Sequence, residues 1–305
     1  MNKEEKALNE LVALSKNLED VDYEYIKDLI KNTIRFVPVT TTKLHKGAYI
    51  DRVRPNIEET LFFKEDEISY IKDKEKIEKY LIDYGRANKP HEVLFYGAIV
   101  STSIPEQRLT AIYETCDFLK NKESINLKGQ LVTLSRWEVL NELEIVEIVF
   151  SDDALKNNPD TQKAFNFHFQ KIMTHPLREI GLRQLQFFSN QFARKINTHN
   201  DYKISVAYAD LVMNNNGFGG VAYPSVASDY AGQNIVLRPD IVDEHLSLKN
   251  VVSMRVHKNK MHSFVNNHKL VTTFGRNNSN FIWEDIDQKD IADENEINHH
   301  LKIIK

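Results

Sequence analysis

The stretch from Gly85 to Glu114, GRANKPHEVLFYGAIVSTSIPEQRLTAIYE, limits most tightly what this chain can fold into. It places a loop, a strand and a helix in quick succession. Gly85, Arg86, Asn88 and Pro90 form the loop, because glycine and proline interrupt both helical and strand periodicity. Val93 to Val100 is apolar and rich in β-branched and aromatic residues, the composition of a buried strand. Ser103-Ile-Pro-Glu106 reads as a capping box with proline in the first turn, so a helix is expected from about Pro105 to Phe118. Its apolar side carries Leu109, Ile112, Tyr113 and Cys116. The unit thus puts an arginine, a strand tyrosine (Tyr96) and a helix carboxylate (Glu114) on consecutive elements that can meet in one cleft.

Around this unit the chain alternates helical and strand signals. Residues 3–18 form an amphipathic helix pattern with Leu8, Leu11, Val12 and Leu18 as the inner stripe. A second runs from Tyr23 to Arg35, with Tyr25, Ile26, Leu29, Ile30 and Ile34 on one side and Pro38 just beyond. Tyr49-Ile-Asp-Arg-Val-Arg54 is a short strand stopped by Pro55, and Lys74 to Tyr84 is a helix with Ile77, Tyr80 and Leu81 inward. Gln130–Glu138 and Glu144–Phe150 read as strands. Thr161 to Ile196 is a long helical region broken near Pro176, and Asp201 is placed to cap a helix from Tyr202 to Met213. Asn214-Asn-Asn-Gly217 stops it. Gly219–Ser225, Gly232–Leu237 and Val251–Val256 are further strands, with an edge hairpin over Phe274–Trp283. Residues 284–298 are acidic and rich in asparagine, the composition of a mobile segment. The chain mixes helices and strands throughout, as an α+β fold does.

Composition excludes several functions. The formal net charge of −4 leaves no broad basic face for nucleic acid. Cys116 is the single cysteine, so no internal disulfide and no cysteine-based zinc site can form. The histidines show no metal-ligand spacing, so no metal is expected. Gly217-Phe-Gly-Gly220 lacks the Gly-Lys-Ser/Thr of a P-loop. No apolar run reaches membrane-span length and the N-terminus shows no secretory segment, so a cytoplasmic, membrane-free protein is expected.

Several fragments recur in a fixed order: Arg52 in YIDRVRP, Gly85-Arg86-Ala87-Asn88, Tyr96, Ala111-Ile-Tyr-Glu114, Tyr223-Pro-Ser225 and Gly232-Gln-Asn234. Together they resemble the RES domain, a bacterial family named for its arginine, glutamate and serine. The resemblance spans residues 44–257, leaving a helical N-terminal extension (1–43) and an acidic C-terminal extension (258–305) outside it. Arg52 and Arg54 compete for the early arginine position, and Thr161–Ile196 is longer than the smallest family members need.

The resemblance implies an ADP-ribosyltransferase-like mixed α/β core around a dinucleotide cleft. It implies a toxin that destroys NAD by hydrolysis or phosphorolysis, with NAD as substrate, inorganic phosphate as a second substrate in the latter case, and a separately encoded antitoxin as partner. On that basis Glu114 stabilises positive charge on the ribose, and Arg52, or failing that Arg86, holds the pyrophosphate. Tyr96 stacks on or hydrogen-bonds to the nicotinamide end, Ser225 donates a hydrogen bond, and Asn88 and Tyr223 complete the ligand contacts. Protein ADP-ribosylation in the same cleft is one rival. A non-catalytic interaction module working through the helical extension is another.

Overall fold

The computed structural model describes residues 3–34, 39–215, 217–273 and 280–286. Its helices are α1 (Lys3–Leu14), α2 (Tyr23–Ile34), α3 (Glu65–Ile68), α4 (Lys74–Tyr80), α5 (Gln107–Thr115), α6 (Asp117–Lys120), α7 (Asp152–Asn157), α8 (Pro159–Met173), α9 (Arg178–Ala193), α10 (Lys203–Asp210) and α11 (Pro239–His245). The strands are β1 (Thr41–Leu44), β2 (Tyr49–Pro55), β3 (Phe95–Ile99), β4 (Asn126–Val139), β5 (Leu143–Glu147), β6 (Gly220–Pro224), β7 (Gln233–Leu237), β8 (Leu246–Lys258), β9 (Ser263–Thr273) and β10 (Ile282–Asp285). The fold is mixed α+β. All ten strands form one sheet in the order β1-β5-β6-β7-β3-β2-β4-β8-β9-β10. The β5–β6 pair is parallel and the other pairs are antiparallel.

Alternation along each strand sends successive side chains to opposite faces. Val236 joins Val221 and Tyr223 in a core built with Leu11 of α1, Ile26 and Ile30 of α2, Phe188 and Phe192 of α9, and Ile204 of α10. Ile235 and Leu237 join Ile50, Phe95 and Trp137 on the other face, under Ile68 of α3 and Val242 of α11. A third cluster sets Ala111 and Ile112 of α5, with Cys116, on Val53, Ala98 and Val132. Tyr96 pairs with Val236, and Ala98 lies two residues further along β3. The α5 cluster and the α9–α10 block therefore occupy the same face side by side, and the sheet between them is left uncovered by either.

The N-terminal helices are tied to this block by a buried lysine. Lys203 Nζ donates to the carbonyls of Leu18, Glu19 and Val21, at 2.9, 3.1 and 2.9 Å, in the connection between α1 and α2. An ion pair of 2.7 Å joins Lys27 of α2 to Asp210 at the end of α10.

Several expected boundaries move. α5 starts at Gln107, with Glu106 rather than Ser103 before it. The Ser101 hydroxyl accepts the Ile104 N–H at 3.0 Å and closes its own turn, so the Ser103 box does not form. The helix expected to reach Phe118 breaks at Cys116 and resumes as α6. Asp201 does not cap α10. Its carboxylate accepts the Asn197 and Thr198 N–H groups and pairs with Arg194, while Tyr202 stands before α10. Val12, Tyr25, Tyr80 and Leu109, placed inward by periodicity, are exposed. A one-sided helix buries only a stripe, which leaves Val12, Tyr25 and Leu109 at its margins, and α4, which carries Tyr80, buries no residue. β10 pairs with β9 at the sheet edge, so the paired strands lie largely outside the hairpin expected over Phe274–Trp283, of which residues 274–279 lie outside the described residues. Pro38, Arg35, residues 287–298 of the acidic segment and the His299–His300 pair lie outside the described residues. Among the described residues no helix is long and apolar enough to cross a membrane.

Replacing Lys203 by methionine is expected to lower unfolding stability by about 2–3 kcal/mol in urea titrations, because three carbonyls, one of them buried, lose a charged donor. An unchanged urea midpoint would show that this tether does not hold the N-terminal helices.

Candidate active site

The uncovered strip of sheet between α5 and the α9–α10 block is a hollow of about 280 Å³. Tyr96, Gly97, Tyr223 and Asn234 form its floor, Ala111, Glu114 and Thr115 its α5 wall, and Arg86 and Tyr202 the wall opposite. It opens into a larger cavity of about 790 Å³ that shares Arg86, Glu114 and Tyr202. Small-ligand sites commonly occupy about 300–1,000 Å³, so the pair suits a molecule larger than a single nucleoside.

Glu114 sits at the junction. Its Oε1 accepts hydrogen bonds from Ser225 Oγ and Asn234 Nδ2, both at 2.6 Å. Its Oε2 makes none among the described residues. One oxygen is therefore fixed by the protein and the other is available to a ligand. Asn234 reaches Glu114 because β7 places it beside Tyr223 on β6 and Ala98 on β3. It is a polar residue on a strand whose next three residues, Ile235, Val236 and Leu237, are fully buried. Ser225 follows the last residue of β6, is fully buried, and also accepts the Ser228 N–H at 3.3 Å. Its hydroxyl is committed to Glu114, and Ser225 lines neither cavity.

Arg52 enters from a seam in the sheet. β2 and β3 bridge at the single pair Asp51–Ala98. Beside that pair the Arg52 guanidinium lies 5.1 Å from the Phe95 ring centroid and donates to the Tyr96 carbonyl at 2.6 Å. Its buried Nε has no partner. Burial pushes the guanidinium pKa down to about 9, so it stays cationic at neutral pH. A nearby anion would offset that desolvation. Arg54, the rival for this position, finds different partners: it donates to the Glu67 carbonyl at 2.6 Å and lies over Phe62.

Arg86 is held by the end of α9, donating to the Phe192 and Arg194 carbonyls and, at 3.2 Å, to the Tyr202 hydroxyl. A cation at a helix C-terminus is favoured by the helix dipole. The guanidinium faces the Tyr202 and Tyr223 rings at 4.9 and 6.0 Å. The Tyr96 hydroxyl donates to Asn88 Oδ1 at 2.7 Å and accepts the Ala87 N–H at 3.1 Å. Burial raises the pKa of both Tyr96 and Tyr223. Asn88 lines neither cavity: it closes the loop, and a side chain on Gly85 would begin 2.3 Å from its Oδ1.

The structure thus gathers Arg52, Arg86, Tyr96, Glu114 and Tyr223 around one hollow, with Ser225 just behind it and Asn88 in support. The sequence reading missed Tyr202, which carries no signal beyond its place at a helix start. It had Asn234 only as part of a motif, although a polar residue leading an apolar strand is a legible sign. Cys116, at the end of α5, is buried in the third cluster and lines neither cavity, and burial pushes its thiol pKa up to about 12. Among the described residues no cluster of histidine, cysteine and carboxylate side chains is placed to hold a metal. No known protein-family profile and no curated protein matches the chain.

One glycine sets how closely α5 approaches. A Cβ on Gly232 would stand 2.2 Å from Thr110 Oγ1 and 2.6 Å from its Cγ2, on the helix that carries Glu114. Gly232→Ala is expected to cost about 1–3 kcal/mol in urea unfolding, as overpacking does. The double variant with Thr110→Ala should recover part of that loss. Strictly additive losses would show that this contact does not fix the helix.

Proposed function

We propose that the protein is an NAD-degrading enzyme that cleaves the nicotinamide–ribose bond. The observation that carries this is Glu114: a carboxylate with one oxygen fixed by Ser225 and Asn234 and the other free, at the mouth of an aromatic hollow flanked by two arginines. Cleavage breaks the bond between ribose C1′ and the nicotinamide nitrogen. The electron pair leaves with nicotinamide, which is cationic in NAD and departs neutral without a proton donor. Positive charge develops on the ribose, and a fixed carboxylate stabilises it more in the transition state than in the ground state. Water or inorganic phosphate then adds its oxygen to C1′, water releasing a proton.

Each residue has a part. Tyr96, Tyr202 and Tyr223 supply aromatic surface for the nicotinamide end. Arg52 in the seam and Arg86 at the junction offer guanidinium groups to the pyrophosphate. Ser225 and Asn234 are positioning residues that act through Glu114. The resemblance to the RES domain supports the same reading. It adds an ADP-ribosyltransferase-like core, a role as toxin or defence effector in the cytoplasm, and a separately encoded antitoxin that restrains it.

The purified protein should release nicotinamide from NAD, with ADP-ribose or its 1″-phosphate as co-product according to whether phosphate is supplied. Glu114→Gln is expected to lower kcat by about 10²–10³. Ser225→Ala should lower kcat by about tenfold with little change in KM, as loss of positioning rather than binding does. No nicotinamide release under either condition, or full activity in Glu114→Gln, would overturn the assignment. Label passing from NAD to a macromolecule instead would assign the cleft to protein ADP-ribosylation.

A further inference from the structure

The larger, outer cavity is strongly cationic, although the whole chain carries a net charge of −4. Lys120, Lys122, Lys195, Lys258 and Lys260 line it together with Arg86, against Glu114 and Asp229. Two of these lysines have structural employment. Lys120 pairs with Asp117 at 2.7 Å. Lys258 donates to the carbonyls of Phe118 and Asn121 and approaches the Ser124 hydroxyl. The other three, Lys122, Lys195 and Lys260, have no ion pair among the described residues. They come from separate segments: the turn after α6, the chain leaving α9 and the β8–β9 turn. Their convergence is therefore a product of the tertiary fold and not of one basic run.

Three unpaired cations around a concave surface repel one another and concentrate positive potential there. The ligand that suits them is polyanionic. On the proposed reaction, Arg52 and Arg86 already face the end of the substrate nearest the scissile bond, and a pyrophosphate carries only two negative charges. The cations further out exceed what an unphosphorylated dinucleotide presents. We infer that the outer cavity selects a dinucleotide bearing an extra phosphate on its adenosine ribose, so that the 2′-phosphorylated dinucleotide NADP is the preferred substrate over NAD. This inference rests on the reading of Glu114 as the group that drives glycosidic cleavage. The reacting end is common to both dinucleotides, so the discrimination arises in the outer cavity and not at Glu114.

The test measures binding separately from turnover. Titration calorimetry of the full chain carrying Glu114→Gln with ADP-ribose and with its 2′-phosphate is expected to show the phosphorylated ligand binding about tenfold or more tightly at low salt. The preference should shrink as salt rises, because exposed charges are screened. The triple variant Lys122→Ala, Lys195→Ala, Lys260→Ala should bring the two affinities together. These lysines are exposed, so the triple variant is expected to keep the wild-type urea midpoint. Equal affinities in the parent, or a preference that survives in the triple variant, would overturn the inference. Parallel assays of the otherwise unaltered enzyme with NAD and NADP separate the two readings. Equal kcat/KM for nicotinamide release from both would keep the glycosidic assignment and reject the phosphate preference. Tighter binding of the phosphorylated ligand with no nicotinamide release would keep the cation cradle and reject the reaction.

Discussion

One carboxylate oxygen joins the parts of this molecule that matter for its chemistry. Glu114 Oε1 takes hydrogen bonds from Ser225 and Asn234, which lie 111 and 120 residues further along the chain. Those bonds fasten α5 to the turn after β6 and to the start of β7. A polar group withdrawn from water costs free energy unless its hydrogen bonds are replaced. Ser225 and Asn234 are themselves buried, so the three satisfy one another, and none can be changed to an apolar residue without leaving donors or an acceptor behind. The close approach of Gly232 to Thr110 on the same helix sets the distance over which the bonds form.

A second constraint comes from the sheet. Had β2 and β3 stayed paired beyond Asp51–Ala98, the Tyr96 carbonyl would have been taken by a backbone N–H. Instead the Arg52 guanidinium takes it, and a cation is held inside the sheet layer. Backbone groups must find partners, and a side chain can stand in for a strand. The same arrangement leaves the buried Arg52 Nε without a partner in the lining of the hollow. Arg86 is placed by a different device, the carbonyls at and just after the end of α9, yet arrives at the same hollow from the opposite side. The N-terminal helices share the block that positions Arg86 and Tyr202, because Lys203 ties their connection to α10 immediately after Tyr202. They form part of the packing behind the site's far wall.

Much of this was legible from the residues. The strand at Phe95–Ile99, the helix bearing Glu114 and the strand and turn on either side of Ser225 follow from local pattern, since alternation, helical spacing and proline are properties of short segments. The choice between Arg52 and Arg54 was not. Two arginines of identical chemistry, two positions apart on one strand, point to the same face, and what separates them is which backbone carbonyl lies within reach. Asn88 and Ser225 show a related limit. Both belong to the ordered set of motifs, but one closes a loop under Tyr96 and the other holds Glu114, and their distance from any ligand is not written in their neighbours.

The sequence alone determined the class of fold, the elements around Gly85–Glu114 and the residue types able to do chemistry. These depend on interactions within a few residues, which local order records. Only the tertiary structure decided that Arg52 enters through a gap in the sheet, that Tyr202 and Asn234 complete the hollow, and that lysines from three segments converge on its outer chamber. Those outcomes depend on where distant segments pack and on which buried polar groups are left to satisfy one another, a balance set by the whole core rather than by any stretch of it.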